Sequence, residues 1–254
     1  MEHMLTLSVI IIALNEEANL PRCLESVKWA DELVVADTGS TDRTLEIAKE
    51  RGAKTIQLEW EGFGKAKQRV LEAASCDWVL SLDADEVVSE RLRAEIQNLL
   101  TSDPPLFDGY SIPRRSMFLG HWMSHGGWYP DYVLRLFKRE KGRFEHKKVH
   151  ESLSLTGRAG RLKGELLHYS DPDLEHYLKK MNRYTRLSAQ ELQERGKEAS
   201  LADMLFRPMA AFWKIYLFKG GFLDGIYGFL LALFSSVHVM TKYVKLWLLN
   251  RNAE

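Results

Sequence analysis

The chain has 254 residues, with 35 Lys and Arg against 35 Asp and Glu, so its formal net charge at neutral pH is zero. That balance singles out no partner by charge, and nucleic acid is not expected as one. Two cysteines, Cys23 and Cys76, are too few in a chain this long for a disulfide framework, and both are expected as buried thiols in a reducing compartment.

The N-terminal segment MEHMLTLSVIIIALNEE carries a short apolar run that follows Glu2 and ends in Asn15-Glu16-Glu17. It has neither a basic leader nor a small-residue cleavage site, and is read as a buried first strand rather than a signal peptide. From Leu5 to about Leu100, short Val- and Ile-rich runs alternate with segments of helical period. Strands are expected at Leu5–Leu14, Glu32–Asp37, Lys54–Trp60 and Trp78–Asp83, and helices at Ala18–Trp29, Asp42–Arg51, Lys65–Ala74 and Glu90–Leu100. Ser40, Thr41 or Asp42 is placed to cap the second helix and Ser89 the fourth. Such alternation predicts an α/β fold with a parallel sheet covered on both faces. Ligands of such sheets bind beyond the carboxyl ends of the strands. Polar groups stand there after three strands: Asn15-Glu16, Asp37-Thr38-Gly39-Ser40 and Asp83-Ala84-Asp85.

Between about Pro104 and His168 aromatics, His and Gly interleave with short strand-like runs, which predicts a mixed or antiparallel continuation of the sheet with long loops. Beyond Asp173 the chain is expected to be helical: a polar amphipathic helix at Leu174–Gly196, then the apolar, aromatic and Lys/Arg-studded stretch Met204–Leu249. Its content of Trp, Tyr, Phe and basic residues favours anchoring at a membrane surface. A soluble helical cap or dimer surface, and a true span, are the alternatives. The organisation expected is residues 1–103 and 104–170 as two halves of one domain, with 171–254 as a helical extension.

The acids raise the chemical question. Asp83 and Asp85 are i and i+2 at a strand end and point the same way. Two such carboxylates repel unless a cation or a donor lies between them. Oxygen ligands at a half-open site suit Mg²⁺ or Mn²⁺, which would also hold phosphate oxygens. The bland alternative is that they are turn and cap residues before the Ser89 helix. Asp37 could accept from a base N–H or a ribose hydroxyl, or simply belong to a strand-to-helix turn. Lys65, Lys67 and Arg69 could meet an anion or form the solvated face of a helix.

ALNEEANL (Ala13–Leu20), VVADTGSTDRT (Val34–Thr44), GKAKQRVLEAA (Gly64–Ala74) and WVLSLDADE (Trp78–Glu86), in that order and spacing, resemble the nucleotide-sugar half of the family 2 inverting glycosyltransferases, which have the GT-A fold. GGWYPDYVLRLFKR and KKVHESL resemble one branch of that family, the bacterial lipopolysaccharide-core β-glucosyltransferases of the WaaE/KdtX kind. The resemblance implies a mixed, mainly parallel Rossmann-like sheet flanked by helices. It implies that Leu14, Asn15, Glu16 and Asp37 hold the uridine of a UDP-sugar and that Lys67 lies near base and diphosphate. Asp83 and Ala84 would meet ribose or sugar, Asp85 would bind a divalent metal, Mg²⁺ or Mn²⁺, and His150 would add a metal ligand. Asp131 would be the catalytic base, with Arg135 facing the phosphates or pairing with an acid. The sequence departs from the family's frequent Asp-Asp-Gly-Ser at Asp37-Thr38-Gly39-Ser40, and from its Arg-Asn pair at Lys67-Gln68. Trp122, His125 and Trp128 could stack on an acceptor sugar or belong to a core.

The function expected is metal-dependent inverting transfer of a sugar, glucose from UDP-glucose, to a lipid-linked saccharide such as the lipopolysaccharide inner core. The place expected is the cytoplasmic side of the inner membrane, with residues 204–249 on the membrane surface. A sugar-1-phosphate nucleotidyltransferase is disfavoured, because Asn15-Glu16-Glu17 stands where such enzymes carry a Gly-rich basic loop. A non-catalytic membrane-bound nucleotide-sugar scaffold is the other alternative.

Overall fold

The computed structural model describes residues 5–101, 105–145 and 153–251. The chain forms two units, one of Met1–Arg114 with Asp131–His168, the other of Arg115–Pro130 with Tyr169–Glu254.

The first unit opens with β1 (Leu7–Ala13), α1 (Leu20–Val27), β2 (Glu32–Asp37), α2 (Thr44–Glu50), β3 (Lys54–Gln57), α3 (Phe63–Glu72), β4 (Trp78–Asp83), β5 (Glu86–Val88) and α4 (Glu90–Thr101). The four expected strands and four expected helices are all there, β2 and β4 with the expected bounds, while β3 stops at Gln57 rather than Trp60. Ser89 caps α4 by accepting from the Leu92 N–H at 3.2 Å, and Asp42 accepts from the Thr44 N–H at 3.0 Å at the start of α2. The chain continues through β6 (Gly109–Phe118), β7 (His121–Trp122), β8 (Asp131–Lys138), β9 (Gly142–Phe144), β10 (Leu153–Leu155), β11 (Ala159–Arg161) and β12 (Leu166–Asp171).

Strands β3-β2-β1-β4 are parallel neighbours, and β8 then β6 extend the sheet antiparallel. The sheet is therefore mixed, as expected. Alternation along β1 explains its continuous apolar run. Val9, Ile11 and Ala13 face a core built with Leu20, Leu24 and Val27 of α1 and Leu92 and Ile96 of α4. Ile10 faces a second core with Val70 and Leu71 of α3 and Phe137 of β8. A strand covered on both sides has no polar face.

Register positions the site. Ala13 of β1 lies beside Asp37 of β2, and Ile12 beside Asp83 of β4, so the three polar groups that follow these strands share one sheet edge. Because β8 runs antiparallel to β4, its first residue, Asp131, comes to that same edge, and Arg114 of β6 is its cross-strand partner.

The second unit holds α5 (Leu174–Glu194), α6 (Leu201–Trp213) and α7 (Gly225–Arg251). Residues 115–118 and 121–122 are strands of the sheet, in β6 and β7, as expected, and the whole segment 115–130 also groups with these helices. The cause is burial of Phe118 and Met123 with Leu231 of α7, and Asp224 accepting from the Ser124 and His125 N–H groups. The aromatic residues considered for acceptor stacking are engaged here. Trp128 packs on Phe118 with centroids 5.6 Å apart, Trp122 on Tyr169 at 5.0 Å, and His125 Nδ1 lies 3.0 Å from Asp224.

Candidate active site

The site grows from the end of β4. Asp83 is the last residue of that strand, and the turn after it brings Glu86 back so that its Oε2 accepts from the Asp83 N–H at 2.9 Å. Glu86 is fully buried. Its Oε1 accepts from Arg135 at 2.8 Å and lies 3.6 Å from Arg114. Asp83 in turn accepts from Lys67 Nζ at 2.9 Å and, through its other oxygen, from Arg135. Arg114 sends Nε and a terminal nitrogen to Oδ2 of Asp131, at 3.1 and 2.7 Å. Three cations (Lys67, Arg114, Arg135) thus interlock with three carboxylates (Asp83, Glu86, Asp131).

The electrostatics follow from burial. Burial by itself would push the Asp83 carboxyl up, but the charges of Arg135 and Lys67 and their hydrogen bonds overturn that and hold it far below the usual carboxylate range. Burial pushes Glu86 up against the pull of Arg135, and the neighbouring Asp83 adds to the rise. Arg135 is held more firmly protonated than an ordinary arginine, the two acids outweighing its burial. Its Nε is buried and has no hydrogen-bond partner among the described residues. Lys67, Asp83, Arg114 and Arg135 line a cavity of about 250 Å³ whose apolar walls include Val133 and Phe144.

The other expected residues fall around this cluster. Asn15 adopts a left-handed conformation (φ 55°), which lets its side-chain oxygen accept from the Thr41 N–H at 2.8 Å while its own N–H bonds Ser40 at 2.9 Å. Leu14 beside it is half exposed. The Glu16 N–H bonds Thr44 Oγ1 at 2.7 Å. Asp37 is buried and accepts from the N–H groups of Gly39 and Ser40, each at 3.2 Å, so it organises the turn that Gly39 makes at φ 107°. Of the three basic residues considered on α3, Lys65 and Arg69 pair with Glu61 near the surface and only Lys67 turns inward. Asp85 Oδ2 lies 3.2 Å from His168 Nε2 of β12. Ala84 between the two acids is buried. The expected metal ligand His150 lies outside the described residues.

Two residues were not foreseen, Arg114 in the cluster and His168 beside Asp85, nor was the role of Glu86. Arg114 and His168 are separated from their partners by long stretches of chain and meet them only through strand pairing. Lys67 did carry a signal. Gly64, Lys67 and Leu71 are spaced three and four apart, on the buried stripe of α3. Cys23, buried on α1 with Sγ 3.7 Å from the Asp83 carbonyl, has its thiol pushed up by burial and then by Glu86, Asp85 and Asp83. It is packing material, not a nucleophile.

Arg135 carries most of the burden of neutralising this interior. Arg135→Met is expected to destabilise the protein by about 3 kcal/mol, because the fully buried Glu86 loses its nearest cation, while Asp83, 35% exposed and still bonded to Lys67, adds little. The sign of the acid response is also set. A carboxylate depressed in the folded state contributes stability above its unfolded value, about 3.9 for Asp, and that contribution is lost as pH falls toward the folded value. With Arg135 gone, Asp83 takes up its proton earlier, so the acid-unfolding midpoint moves to higher pH. Urea titrations across the acid range, followed by circular dichroism, check both effects; an unchanged urea midpoint at neutral pH would contradict them.

Residues 8–160 match the family described as glycosyl transferase family 2. The chain belongs to that family. Among relatives of this family 2 glycosyltransferase, the lipopolysaccharide core biosynthesis glycosyltransferase LpsC of Rhizobium meliloti is 32% identical over 255 residues, covering 96% of this chain and 92% of LpsC. An uncharacterized glycosyltransferase of Rickettsia typhi, RT0209, is 31% identical over 97% of this chain and 89% of its own length. The fold is similar to that of S. aureus TarS 1–349, crystallised in complex with UDP-GlcNAc, with a TM-score of 0.51 and 16% identity over 98% of this chain and 92% of that one. The family 2 glycosyltransferase thus has the GT-A fold, and both the nucleotidyltransferase and the non-catalytic scaffold readings fall away.

Proposed function

We propose that this family 2 glycosyltransferase is a metal-dependent, inverting enzyme that moves glucose from UDP-glucose to a lipid-linked saccharide such as the lipopolysaccharide inner core. It would work at the cytoplasmic side of the inner membrane, with residues 204–249 on the lipid surface. The observation that carries the reading is the meeting of Lys67, Asp83, Arg114 and Arg135 around one cavity at the carboxyl edge of the sheet, with Asp131 paired to Arg114. The acceptor class is supported by the likeness to LpsC, whose name places it in lipopolysaccharide core biosynthesis.

In this reading the loops at Leu14–Glu16 and Asp37 hold the nucleoside, Lys67 lies toward the diphosphate, and Asp83 and Ala84 meet ribose or sugar. Arg135 offers its unpaired Nε to a ligand oxygen. Asp131 is the base that takes the proton from the acceptor hydroxyl. Both Arg114 bonds go to its Oδ2, which orients the carboxylate and leaves Oδ1 outside that clamp. With its side chain 43% exposed, Asp131 is open to an incoming hydroxyl.

Among the described residues the three cations of the cluster are already paired with carboxylates, so a bound diphosphate brings negative charge that those pairs do not offset. A divalent cation fits that need. Asp85 supplies a carboxylate oxygen, the donor that suits Mn²⁺ or Mg²⁺, and His168 places an imidazole nitrogen 3.2 Å from it, a donor that does not suit Mg²⁺. No group of three or more His, Cys, Asp or Glu side chains stands ready for a metal among the described residues, so the remaining ligands would come from phosphate, water or His150. When bound, the metal supplies stabilisation of the charge on the departing diphosphate.

A panel of UDP-, GDP- and dTDP-sugars with Mn²⁺, read by calorimetric binding and slow donor hydrolysis, tests the reading. UDP-glucose is expected to bind most tightly and to be hydrolysed. Failure of every nucleotide sugar to bind would sink the proposal.

A further inference from the structure

The helices of the second unit expose an apolar surface that nothing within that unit covers. Leu201, Leu205, Met209, Trp213 and Leu217 recur every four residues along α6 and the π-helical turn that continues it, Lys214–Phe218, and all are exposed. Positions four apart lie on one line of a helix. Phe206 and Phe218 widen the line and are 68% and 81% exposed. The charge around it has one sign. Between residues 201 and 251, every charged residue in the exposed class is basic: Arg207, Lys214, Lys219 and Arg251. The acids of this stretch are engaged, Asp203 with Arg207 and with the Ser200 cap, Asp224 with Ser124 and His125. An apolar face bordered by cations matches an anionic lipid surface. A second copy of the same face would bring like charges together.

Gly221–Arg251 is long and apolar enough to cross a membrane by length and composition. Its contacts argue against crossing. Lys245 Nζ bonds the Asn182 carbonyl at 2.8 Å, the Asn182 side chain at 2.6 Å and Thr185 Oγ1 at 2.8 Å, while Gln193 bonds the Leu249 carbonyl at 3.1 Å. These contacts fasten α7 to α5, which carries Lys179, Lys180, Arg183 and Arg186. A spanning α7 would draw those charges into hydrocarbon or lose its bonds to α5.

We propose that α6 and α7 lie in the plane of an anionic phospholipid surface, with Leu205, Phe206, Met209, Trp213 and Phe218 inserted into one leaflet and α7 not crossing it. The inference rests on the membrane association proposed above and specifies its surface and topology; it does not depend on the donor or the metal.

The full chain is sedimented with sucrose-loaded vesicles, either pure phosphatidylcholine or an equimolar mixture with phosphatidylglycerol. Wild type is expected to bind the mixture roughly tenfold more strongly, through the basic rim. The double variant Phe206→Ser, Phe218→Ser is expected to bind about tenfold or more weakly than wild type, with an unchanged melting temperature because both rings are already exposed. Single cysteines at Lys219→Cys and Arg251→Cys should both react with a membrane-impermeant maleimide added outside the vesicles; Cys23 and Cys76 are buried and serve as background. If wild type ignores both kinds of vesicle, the membrane reading itself fails. If it binds but the double variant binds equally, or loses only self-association in gel filtration, this surface is wrong. Protection of one engineered cysteine until detergent is added would mean that α7 spans, and would overturn the in-plane topology.

Discussion

Asp131→Asn is expected to lower kcat by about 10²–10⁴-fold while the nucleotide sugar still binds, the range typical for loss of a positioned general base. The substitution keeps the shape of the side chain and leaves an oxygen for Arg114 to bond, but removes the lone pair basic enough to take a proton. Arg114 does not become an unpaired buried cation, because Glu86 remains 3.6 Å away. Folding should therefore survive, and the loss should fall on kcat rather than on donor affinity. Steady-state transfer assays paired with donor calorimetry separate the two. If donor binding is lost along with turnover, Asp131 belongs to the donor site and is not the base.

Asp85→Ala is expected to remove metal-dependent turnover, by about 10³-fold, since stabilising a departing diphosphate with a divalent ion is worth several kcal/mol. The thermal midpoint should move little. The Asp85 side chain is 24% exposed beside His168, so its removal leaves no fully buried charge unpaired. Turnover measured against Mn²⁺ concentration is the direct reading: wild type saturates, the variant stays flat and low, and chelation brings wild type to the same floor. Full activity in the variant at any metal concentration would dispose of the assignment. Asp83 answers differently, because its two oxygens already bond Lys67 and Arg135. Its loss disturbs the interior as well as the chemistry.

Much of the first unit was legible because its signals are local. Val9, Ile10 and Ile11 have no polar neighbour since both faces of β1 are covered, and an uninterrupted Val/Ile run records that directly. The acids after β2 and β4 follow from strand ends alone, and the parallel register then puts them on one edge. The segment 115–130 stays open on the sequence for a physical reason. Its aromatics look alike whether they wait for a sugar or fill a core, and only Phe118 meeting Trp128 and Tyr177 decides for the core. Lys67 lay between these cases, written into the helical period of α3 yet disguised by its charge.

WVLSLDADE shows where the boundary falls. The sequence alone determined that a buried strand ends in a cluster of acids at a ligand-bearing edge, because burial and alternation act over neighbouring residues. It determined the family as well, since four weak motifs in fixed order are specific together. The tertiary structure alone decided what each acid does. Arg135, 52 positions from Asp83, and His168 far beyond Asp85 arrive through the pairing of β8 and of β12, which no local pattern encodes. Pairing then separates the roles: Asp83 and Glu86 are locked to the Arg135 guanidinium, and Asp85 stands beside an imidazole.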